Sequence, residues 1–542
     1  MARTGLLFFS FFMSFSLAQA SWTLKQIRKG SEVRPLGVSL RAQGDLEVVP
    51  RVMKSFPRFL AEGQAPSDEL YEEIAWPGEE LPPAFASLAL SPSLRSFADG
   101  AEYRAIVEQG PAENRICLTV VGDGYTLQEK EKFFTDVKRI VDDLFVGKTF
   151  QSYKALFNVY AVFVPSRESG ITDTTQKDTA FGLYRSPAGS KRAIMPGDPS
   201  AIDRALELAP KTDYPIVIAN DDFYGGLGGQ YAITTRSVES GKIVLRHELG
   251  HNFGGVGEEY DDGQVYRGAN SSRSPDVPWK QWLKPNQSKI INDMRLLGGT
   301  YVWQNLSTGP VVQKFNFPAP NAKGPFWFEV QLSSVGWETL EDVEILLDGR
   351  KLVVEGKGTA DRSFFSTQRV QDLPAGSHTL EIREQKHDGD NILAFADLYA
   401  YEADYDFDGG YGAFKTYDTY GQVSYRPTHD KCIMRDMLSE FFCSVDQENM
   451  WIQFFDRVKL IDRVDVASAQ VHVQTPQLVG LTSQWFRLQG ASQVEIGSLA
   501  NALAADPQQL GKGQYIVKVK YSTPEVRKAA AGFTDEAKFE IP

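Results

Sequence analysis

Apolar and amphipathic stretches alternate between residues 116 and 254, and this alternation predicts strands and helices in turn. Residues 116–121 are almost continuously apolar, which is typical of a strand buried on both faces. Thr126 and Glu129 follow at capping-box spacing, and apolar positions then recur at helical spacing to about residue 145. Further apolar strands are predicted at 159–164, 214–219 and 231–235, before a helix that begins near residue 241. This order predicts an α/β (α+β) domain with a mostly parallel sheet.

The pattern changes to a period of two between residues 294 and 405, which predicts β-strands. The stretch 326–332 is alternating and aromatic, and Asp348-Gly349 is a hairpin-turn signal between two apolar runs. We interpret this region as a β-sandwich inserted into the α/β domain. Two consecutive domains would give a similar pattern, but the insertion is favoured because residues 406–465 contain further candidate functional residues, described below.

Short alternating stretches also predict β-rich modules at both ends of the chain. The expected organisation therefore has six segments: a signal peptide (1–20), an N-terminal β-rich domain (21–110), the first part of the α/β domain (111–293), an inserted β-sandwich (294–405), the second part of the α/β domain (406–465) and a C-terminal β-rich module (466–542).

The net charge of the 542 residues is −13. A nucleic-acid partner is not expected, because phosphate binding needs clustered Lys and Arg. A peptide or protein substrate remains compatible with this charge.

The first twenty residues have the features of an export signal. Arg3 precedes a short apolar run, and Ala18-Gln19-Ala20 fits the small-x-small cleavage rule, so we expect cleavage after Ala20. The run is too short for a membrane anchor, and no second long apolar stretch follows. The mature chain is expected to be secreted, or periplasmic in a Gram-negative host, without an integral membrane segment.

The motif His247-Glu248-Leu249-Gly250-His251 lies on the predicted helix. Histidines four residues apart share one face of a helix and can bind one metal ion. In zinc peptidases the glutamate of such a motif accepts a proton from the attacking water. A chance match on an ordinary amphipathic helix is the alternative. It is disfavoured because the chain has only six histidines, and zinc is the expected cofactor.

A third protein ligand is needed, since catalytic zinc usually has three protein ligands and a water. In metzincins a glycine ends the helix after the second histidine, and the third ligand follows three residues later. Gly257 stands at the position of that third ligand here. If Gly255 is instead the turn residue, the same offset points to Glu258, and we prefer it to Glu259. The other glutamate is then a supporting group.

The segment 247–260 resembles peptidase family M64, the IgA-peptidase-like metallopeptidases, whose pattern is His-Glu-x-Gly-His-x-Phe-x-Gly-Leu-Ala-Asp-Glu-Tyr. This chain has Val256, Gly257 and Glu258 in place of the Leu, Ala and Asp of that pattern. The resemblance covers roughly residues 113–290 and 406–465. It implies a zinc-dependent endopeptidase with a metzincin-like catalytic domain and with Glu248 as general base. It does not identify the substrate protein.

Metzincins also place a methionine turn beneath the zinc ligands, and Met434 is the candidate for that residue. Tyr425 and His429 are candidate hydrogen-bond donors to the oxyanion of the reaction intermediate. Cys432 and Cys443, eleven residues apart in an exported chain, are expected to form a disulfide, with two free thiols as the alternative. A zinc site on these cysteines is not expected, because Cys-x-x-Cys pairs are missing.

Two other functions remain open at this point. One is a catalytically inactive extracellular binding or adhesion protein on the same fold, although such a protein would not need Glu248. The other is an extracellular carbohydrate-binding or adhesion protein whose β modules carry the function. Scattered tryptophans could line a sugar groove, although core packing explains them more simply; they include Trp279, Trp282, Trp303 and Trp327. Zinc content and hydrolysis of a casein-type substrate distinguish these alternatives from a peptidase.

Overall fold

The computed structural model describes residues 100–542 apart from 148, 187–191, 262, 264, 284–290, 408–409, 438 and 529–530, together with four strands before residue 77. The expected signal peptide, 1–20, lies outside the described residues. Within the described part of the chain, no helix is long and apolar enough to cross a membrane.

Four strands near the N terminus form an antiparallel sheet in the order β2-β1-β4-β3. They are β1 (Trp22–Lys29), β2 (Glu32–Leu40), β3 (Val52–Met53) and β4 (Glu69–Trp76). These strands belong to one compact unit, and the chain from residue 100 onward belongs to a second unit.

The apolar runs of the α/β region form a six-stranded sheet. Its strands are β5 (Glu102–Val107), β6 (Ile116–Asp123), β7 (Phe157–Phe163), β10 (Tyr214–Ala219), β11 (Gly226–Leu227) and β12 (Ala232–Thr235). The order is β11-β12-β10-β6-β7-β5, with the four central strands parallel and both edge strands antiparallel to their neighbours. Every residue of β6 and β7 is buried, and the expectation of a mostly parallel sheet is confirmed.

The strand β5 lies inside the segment expected to be a separate N-terminal domain, yet it pairs with β7. The six-stranded sheet therefore begins before residue 111, where the sequence placed the start of the α/β domain. A separate pair, β8 (Tyr184–Arg185) and β9 (Ile194–Met195), is antiparallel.

Helices cover the two faces of the sheet. The helices of the described residues are α1 (Lys130–Leu144), α2 (Pro199–Leu206), α3 (Gly241–Gly254), α4 (Ser444–Phe455) and the short α5 (Pro507–Leu510). The capping box of Thr126 and Glu129 is present before α1, as predicted. Val120 of β6 packs in the same apolar core as α1 and α3, whereas its neighbour Val121 packs in the core of α2. Successive residues of β6 thus pack against helices on opposite faces of the sheet.

Residues 294–401 form two antiparallel sheets that share one apolar core. The first contains β14 (Met294–Thr300), β15 (Gln304–Asn305), β17 (Trp327–Val335), β20 (Val354–Gly356), β21 (Arg362–Thr367) and β23 (Ile392–Tyr401). The second contains β16 (Val311–Phe317), β18 (Val343–Leu347), β19 (Arg350–Lys351) and β22 (Gly376–Glu384). Asp348 and Gly349 have φ angles of 48° and 77° and join β18 to β19, so the predicted hairpin turn is confirmed.

The chain then returns to the α/β region through a three-stranded sheet of β13 (Ile291–Asn292), β24 (Ala413–Tyr417) and β25 (Val423–Arg426). The helix α4 follows, and its Trp451 lies in the same apolar core as Leu249 of α3. This return brings residues 425–446 to the helix that carries the motif.

The C-terminal residues form two further antiparallel sheets. Their strands are β26 (Arg463–Val466), β27 (Val471–Gln474) and β30 (Ala504–Ala505), and β28 (Leu481–Gln489), β29 (Ser492–Glu495), β31 (Gly513–Tyr521) and β32 (Thr534–Ile541). Trp485 and Tyr515 of these strands belong to the same continuous core as Trp451.

Candidate metal centre

The helix α3 follows β12 and carries the two histidines of the motif on one face. The Nε2 atoms of His247 and His251 lie 3.2 Å apart. Their rings are nearly perpendicular, at 86°, with centroids 4.9 Å apart. The two ring nitrogens therefore point at a common position beside the helix.

Backbone carbonyls orient both rings. The Nδ1 atom of His247 lies 3.1 Å from the carbonyl oxygen of Ile433, and that of His251 lies 2.8 Å from the carbonyl oxygen of Val256. A carbonyl oxygen only accepts, so each Nδ1 carries the proton and donates. When a ring with its proton on Nδ1 is neutral, its lone pair lies at Nε2, which is the arrangement that metal-binding histidines use.

A glycine ends α3 and sends the chain back toward the histidines. Gly255 has φ 60° and ψ 21°, and its N–H donates to the carbonyl of His251 at 2.9 Å. The predicted turn at Gly255 is confirmed. A Cβ on Gly257 would clash with the backbone of Val265 and Arg267, so the position at which metzincins have a histidine has no room for a side chain here.

Glu258 completes the group. Its Oε2 lies 3.2 Å from Nε2 of His247, and its Oε1 lies 3.2 Å from Nε2 of His251. The backbone N–H of Glu258 donates to the carbonyl of Val265 at 2.9 Å, which fixes the loop. The structure thus brings Glu258 to the two histidines.

These three residues fit a zinc ion. Tetrahedral zinc with bonds of about 2.0 Å to nitrogen and oxygen separates its ligand atoms by about 3.3 Å. The observed separations of 3.2 Å are close to that spacing. Two imidazole nitrogens and a carboxylate that converge at this distance need positive charge between them, which a bound metal ion would supply in place of a proton.

Glu258 and the two histidines affect one another's protonation. Burial disfavours the charged form of His251, but the carboxylate of Glu258 outweighs it and raises the pKa of His251 to about 9. Burial likewise disfavours the carboxylate of Glu258, but the two histidines hold its pKa well below the usual range. Glu258 is therefore an anion at neutral pH, as a metal ligand must be.

Glu248 follows His247 on α3 and is 3% exposed. Its negative charge adds to the larger effect of Glu258 in raising the pKa of His251. A carboxylate at this position can exchange a proton with a molecule bound between the ligands.

The side chain of Met434 packs against α3 at Gly250. A Cβ on Gly250 would lie 2.8 Å from the sulfur of Met434 and 2.7 Å from the ring of Phe442. Gly250 therefore allows these side chains to contact the helix between the two histidines. The carbonyl of Met434 accepts the N–H of Glu259 at 3.0 Å, and the preceding carbonyl, that of Ile433, orients His247.

Glu259 lies in a different place from Glu258. It is fully buried, and its Oε1 accepts a hydrogen bond from the side-chain amide of Asn270 at 3.1 Å. Its carboxylate groups with Cys432, Cys443 and Asp446 instead of with the histidines.

The expected disulfide between Cys432 and Cys443 is wrong in this structure, because both are free and buried thiols. The thiol of Cys432 donates to Oδ2 of Asp446 at 3.0 Å, and its sulfur accepts the backbone N–H of Cys443 at 3.4 Å. Burial raises the pKa of the Cys443 thiol to about 12. Hydrogen bonds thus take the place of the bridge.

The two candidate oxyanion donors lie in different surroundings. Tyr425 is half-buried on β25, and its backbone pairs with Ser272. His429 is 1% exposed, and its Nδ1 lies 2.9 Å from the hydroxyl of Tyr405 in an aromatic cluster with Tyr401 and Phe407. Burial lowers the pKa of His429 well below its usual value, so its ring is neutral.

Sequence reasoning missed two further residues of the centre. The half-buried ring of Tyr260 lies 6.1 Å from the ring of His247, centroid to centroid. Asp261 forms a buried ion pair of 2.7 Å with Arg435 and accepts the hydroxyl of Tyr399 at 2.9 Å. Tyr260 belongs to the motif already quoted, and its position directly after two glutamates was the available signal.

The comparison with known families agrees with the motif. The family model described as IgA Peptidase M64 matches residues 105–323, a range that begins within β5 and contains the motif on α3 and Glu258. No curated protein matches the chain. The family is one of peptidases, which hydrolyse peptide bonds and act on polypeptides. The resemblance drawn from the motif is confirmed over residues 105–323, the part of the chain that is similar to the IgA Peptidase M64 family.

Proposed function

We propose that this chain is an exported, zinc-dependent endopeptidase. The observation that carries the proposal is the convergence of His247, His251 and Glu258, whose ligand atoms lie 3.2 Å from one another, beside the buried carboxylate of Glu248. The choice of Glu258 over Glu259 as third ligand rests on the same distances. Export rests on the signal-like segment 1–20.

The chain's own residues divide the work of the reaction. Zinc held by the three ligands would polarise the scissile carbonyl and make a nearby water more acidic. Glu248 accepts a proton from the attacking water and later donates it to the nitrogen of the leaving amine. Ile433 and Val256 hold the imidazoles through their carbonyls, so neither ring has to rotate during the reaction.

A hydrogen-bond donor is also needed where negative charge develops on the carbonyl oxygen. Tyr260 is supported by its ring contact with His247 and by its partial exposure. Tyr425 is half-buried and remains a candidate, as predicted. Burial of His429 in its aromatic cluster supports a role in holding the Met434 loop, and we rank it behind both tyrosines as a donor.

The alternative is an inactive binding protein on the same scaffold. Intact Glu248 and the oriented imidazoles argue against it, because a binding surface needs neither.

Metal removal tests the proposal. Chelator-treated protein is expected to lose hydrolysis of a casein-type substrate, and added zinc is expected to restore it. Hydrolysis that continues in protein without zinc at the His247 site would contradict the proposal. A protein that binds zinc there but never hydrolyses peptides would favour the binding alternative.

A further inference from the structure

A second group of metal-binding side chains lies below the His247 centre. Glu259, Cys432, Cys443 and Asp446 each offer one ligand atom, and these atoms all lie within 4.8 Å of one another. We name them the Cys432 cluster. All four are at most 2% exposed, so the group is closed to solvent and to substrate. The proposed peptidase reaction uses none of them.

Three separate segments supply the cluster. Glu259 lies on the loop after α3, and Cys432 lies on the loop that carries Met434. Cys443 is the N-cap residue of α4 and Asp446 lies in its first turn, so the Cys-x-x-Asp spacing places a thiol and a carboxylate together. The positive end of the helix dipole favours anionic groups at this position.

Two carboxylate oxygens of the cluster have no hydrogen-bond partner among the described residues. They are Oε2 of Glu259 and Oδ1 of Asp446, and both side chains are fully buried. No Lys or Arg of the described residues forms an ion pair with either carboxylate. Such oxygens are costly to bury unless a donor or a cation binds them.

We propose that Glu259, Cys432, Cys443 and Asp446 bind a second divalent metal ion of the zinc class. Two sulfur and two oxygen ligands suit tetrahedral zinc, whose ligand atoms are about 3.3 to 3.8 Å apart. The hydrogen-bonded pair of Cys432 and Asp446, at 3.0 Å, is already near that spacing. Four protein ligands leave no open position, so this ion is structural and not catalytic.

The ion joins the segments that position the His247 centre. Glu259 directly follows the ligand Glu258, and Cys432 directly precedes Ile433, whose carbonyl orients His247. A metal at the Cys432 cluster therefore holds both loops against α4. A disulfide between the two cysteines would join only two of the three segments and would leave both carboxylates unsatisfied.

Cobalt provides a probe that separates the two sites. The His247 centre has no sulfur ligand, so only the Cys432 cluster can give thiolate-to-cobalt charge-transfer absorption in the near ultraviolet. Full-length protein produced with cobalt should show this absorption, and Cys432→Ser should abolish it. Cys117→Ser is the matched control, because Cys117 is a buried free thiol on β6 outside the cluster, and it should leave the absorption unchanged.

Zinc stoichiometry gives an independent measurement. The wild type is expected to bind about two equivalents per chain, and either His247→Ala or Cys443→Ser should lose about one of them. If the His247 site binds no zinc but the Cys432 cluster does, the protein should still contain about one equivalent of zinc. That result would contradict the peptidase proposal and leave the second site supported. Cobalt-bound protein without the charge-transfer absorption would overturn the second site.

Thiol counting covers the case in which the cysteine variants do not fold. Wild-type protein denatured with chelator but without reductant should expose all three cysteines as free thiols. A single reactive thiol would show that Cys432 and Cys443 are oxidised to a disulfide and would overturn the proposal. Three free thiols in protein that carries no metal beyond the His247 site would overturn it as well.

Discussion

The Nδ1 atom of His247 donates a hydrogen bond to the carbonyl oxygen of Ile433, 3.1 Å away, although the sheets of residues 294–401 separate the two residues in sequence. The candidate metal centre is therefore built from two distant parts of the chain. The second part provides no ligand to it, but it fixes the tautomer of His247 and supports α3 through Met434.

This packing makes Gly250→Ala a test of the support beneath the ligands. The new methyl group would lie 2.7 Å from Phe442 and 2.8 Å from Met434, so these two side chains or α3 must shift to make room for it. We expect weaker zinc binding at the His247 site and a fall in kcat, measured by zinc competition and by peptide hydrolysis. Gly298→Ala is the control, since a Cβ there meets no atom within 4 Å. Equal behaviour of the two variants would contradict the role given to Met434.

The third ligand is tested by comparing neighbouring glutamates. Glu258→Ala should lower the zinc affinity of the His247 site by about 10-fold or more, because losing a side chain that binds the metal costs at least as much as losing one that only orients a ligand. Glu258→Asp should keep much of the activity, since the family pattern carries Asp there. Glu259→Ala should affect this site less, because its carboxylate lies with the Cys432 cluster. The opposite order of the two alanine variants would make Glu259 the ligand.

Asp261 and Arg435 form a buried ion pair of 2.7 Å. It joins the loop that carries Glu258 to the loop that carries Met434. Asp261→Asn leaves the buried guanidinium without its counter-ion, and we expect a loss of about 3–5 kcal/mol of stability, as for other broken buried pairs. Urea denaturation measures this loss. Asp142→Asn breaks an exposed pair with Lys138 and should change little. A small effect of Asp261→Asn would indicate that solvent reaches Arg435.

Tyr260 and Tyr425 are alternatives for the oxyanion donor. Tyr260→Phe should lower kcat by about 100-fold with KM nearly unchanged, because a donor that acts on developing charge stabilises mainly the transition state. Tyr425→Phe should then have little effect on kcat. If only Tyr425→Phe lowers kcat, the ring beside His247 has a structural role and the role predicted from the sequence holds.

The features that were predictable from the sequence depend on local patterns. The capping box before α1 and the turn at Gly255 each follow from a few adjacent residues, and the structure has both. The parallel sheet followed from the continuous apolar runs of β6 and β7. Helical spacing alone places His247 and His251 on one face of α3.

The features that were missed depend on contacts between distant segments. β5 joins the catalytic sheet through pairing with β7, which alternation within β5 does not reveal. The spacing of Cys432 and Cys443 suggested a disulfide. It could not reveal that the carboxylate of Asp446 lies beside Cys432 and accepts a hydrogen bond from its thiol. The four groups of the Cys432 cluster come from three segments, so no single motif contains them.

The central claim is that Glu248 acts as the proton acceptor of a zinc peptidase, and Glu248→Gln tests it most directly. The amide has nearly the same shape but cannot accept the proton of the attacking water. The account predicts that this variant keeps its fold and its zinc at the His247 site, measured by metal analysis, and loses hydrolysis of a casein-type substrate. Turnover at the wild-type rate by zinc-loaded Glu248→Gln protein would contradict the account.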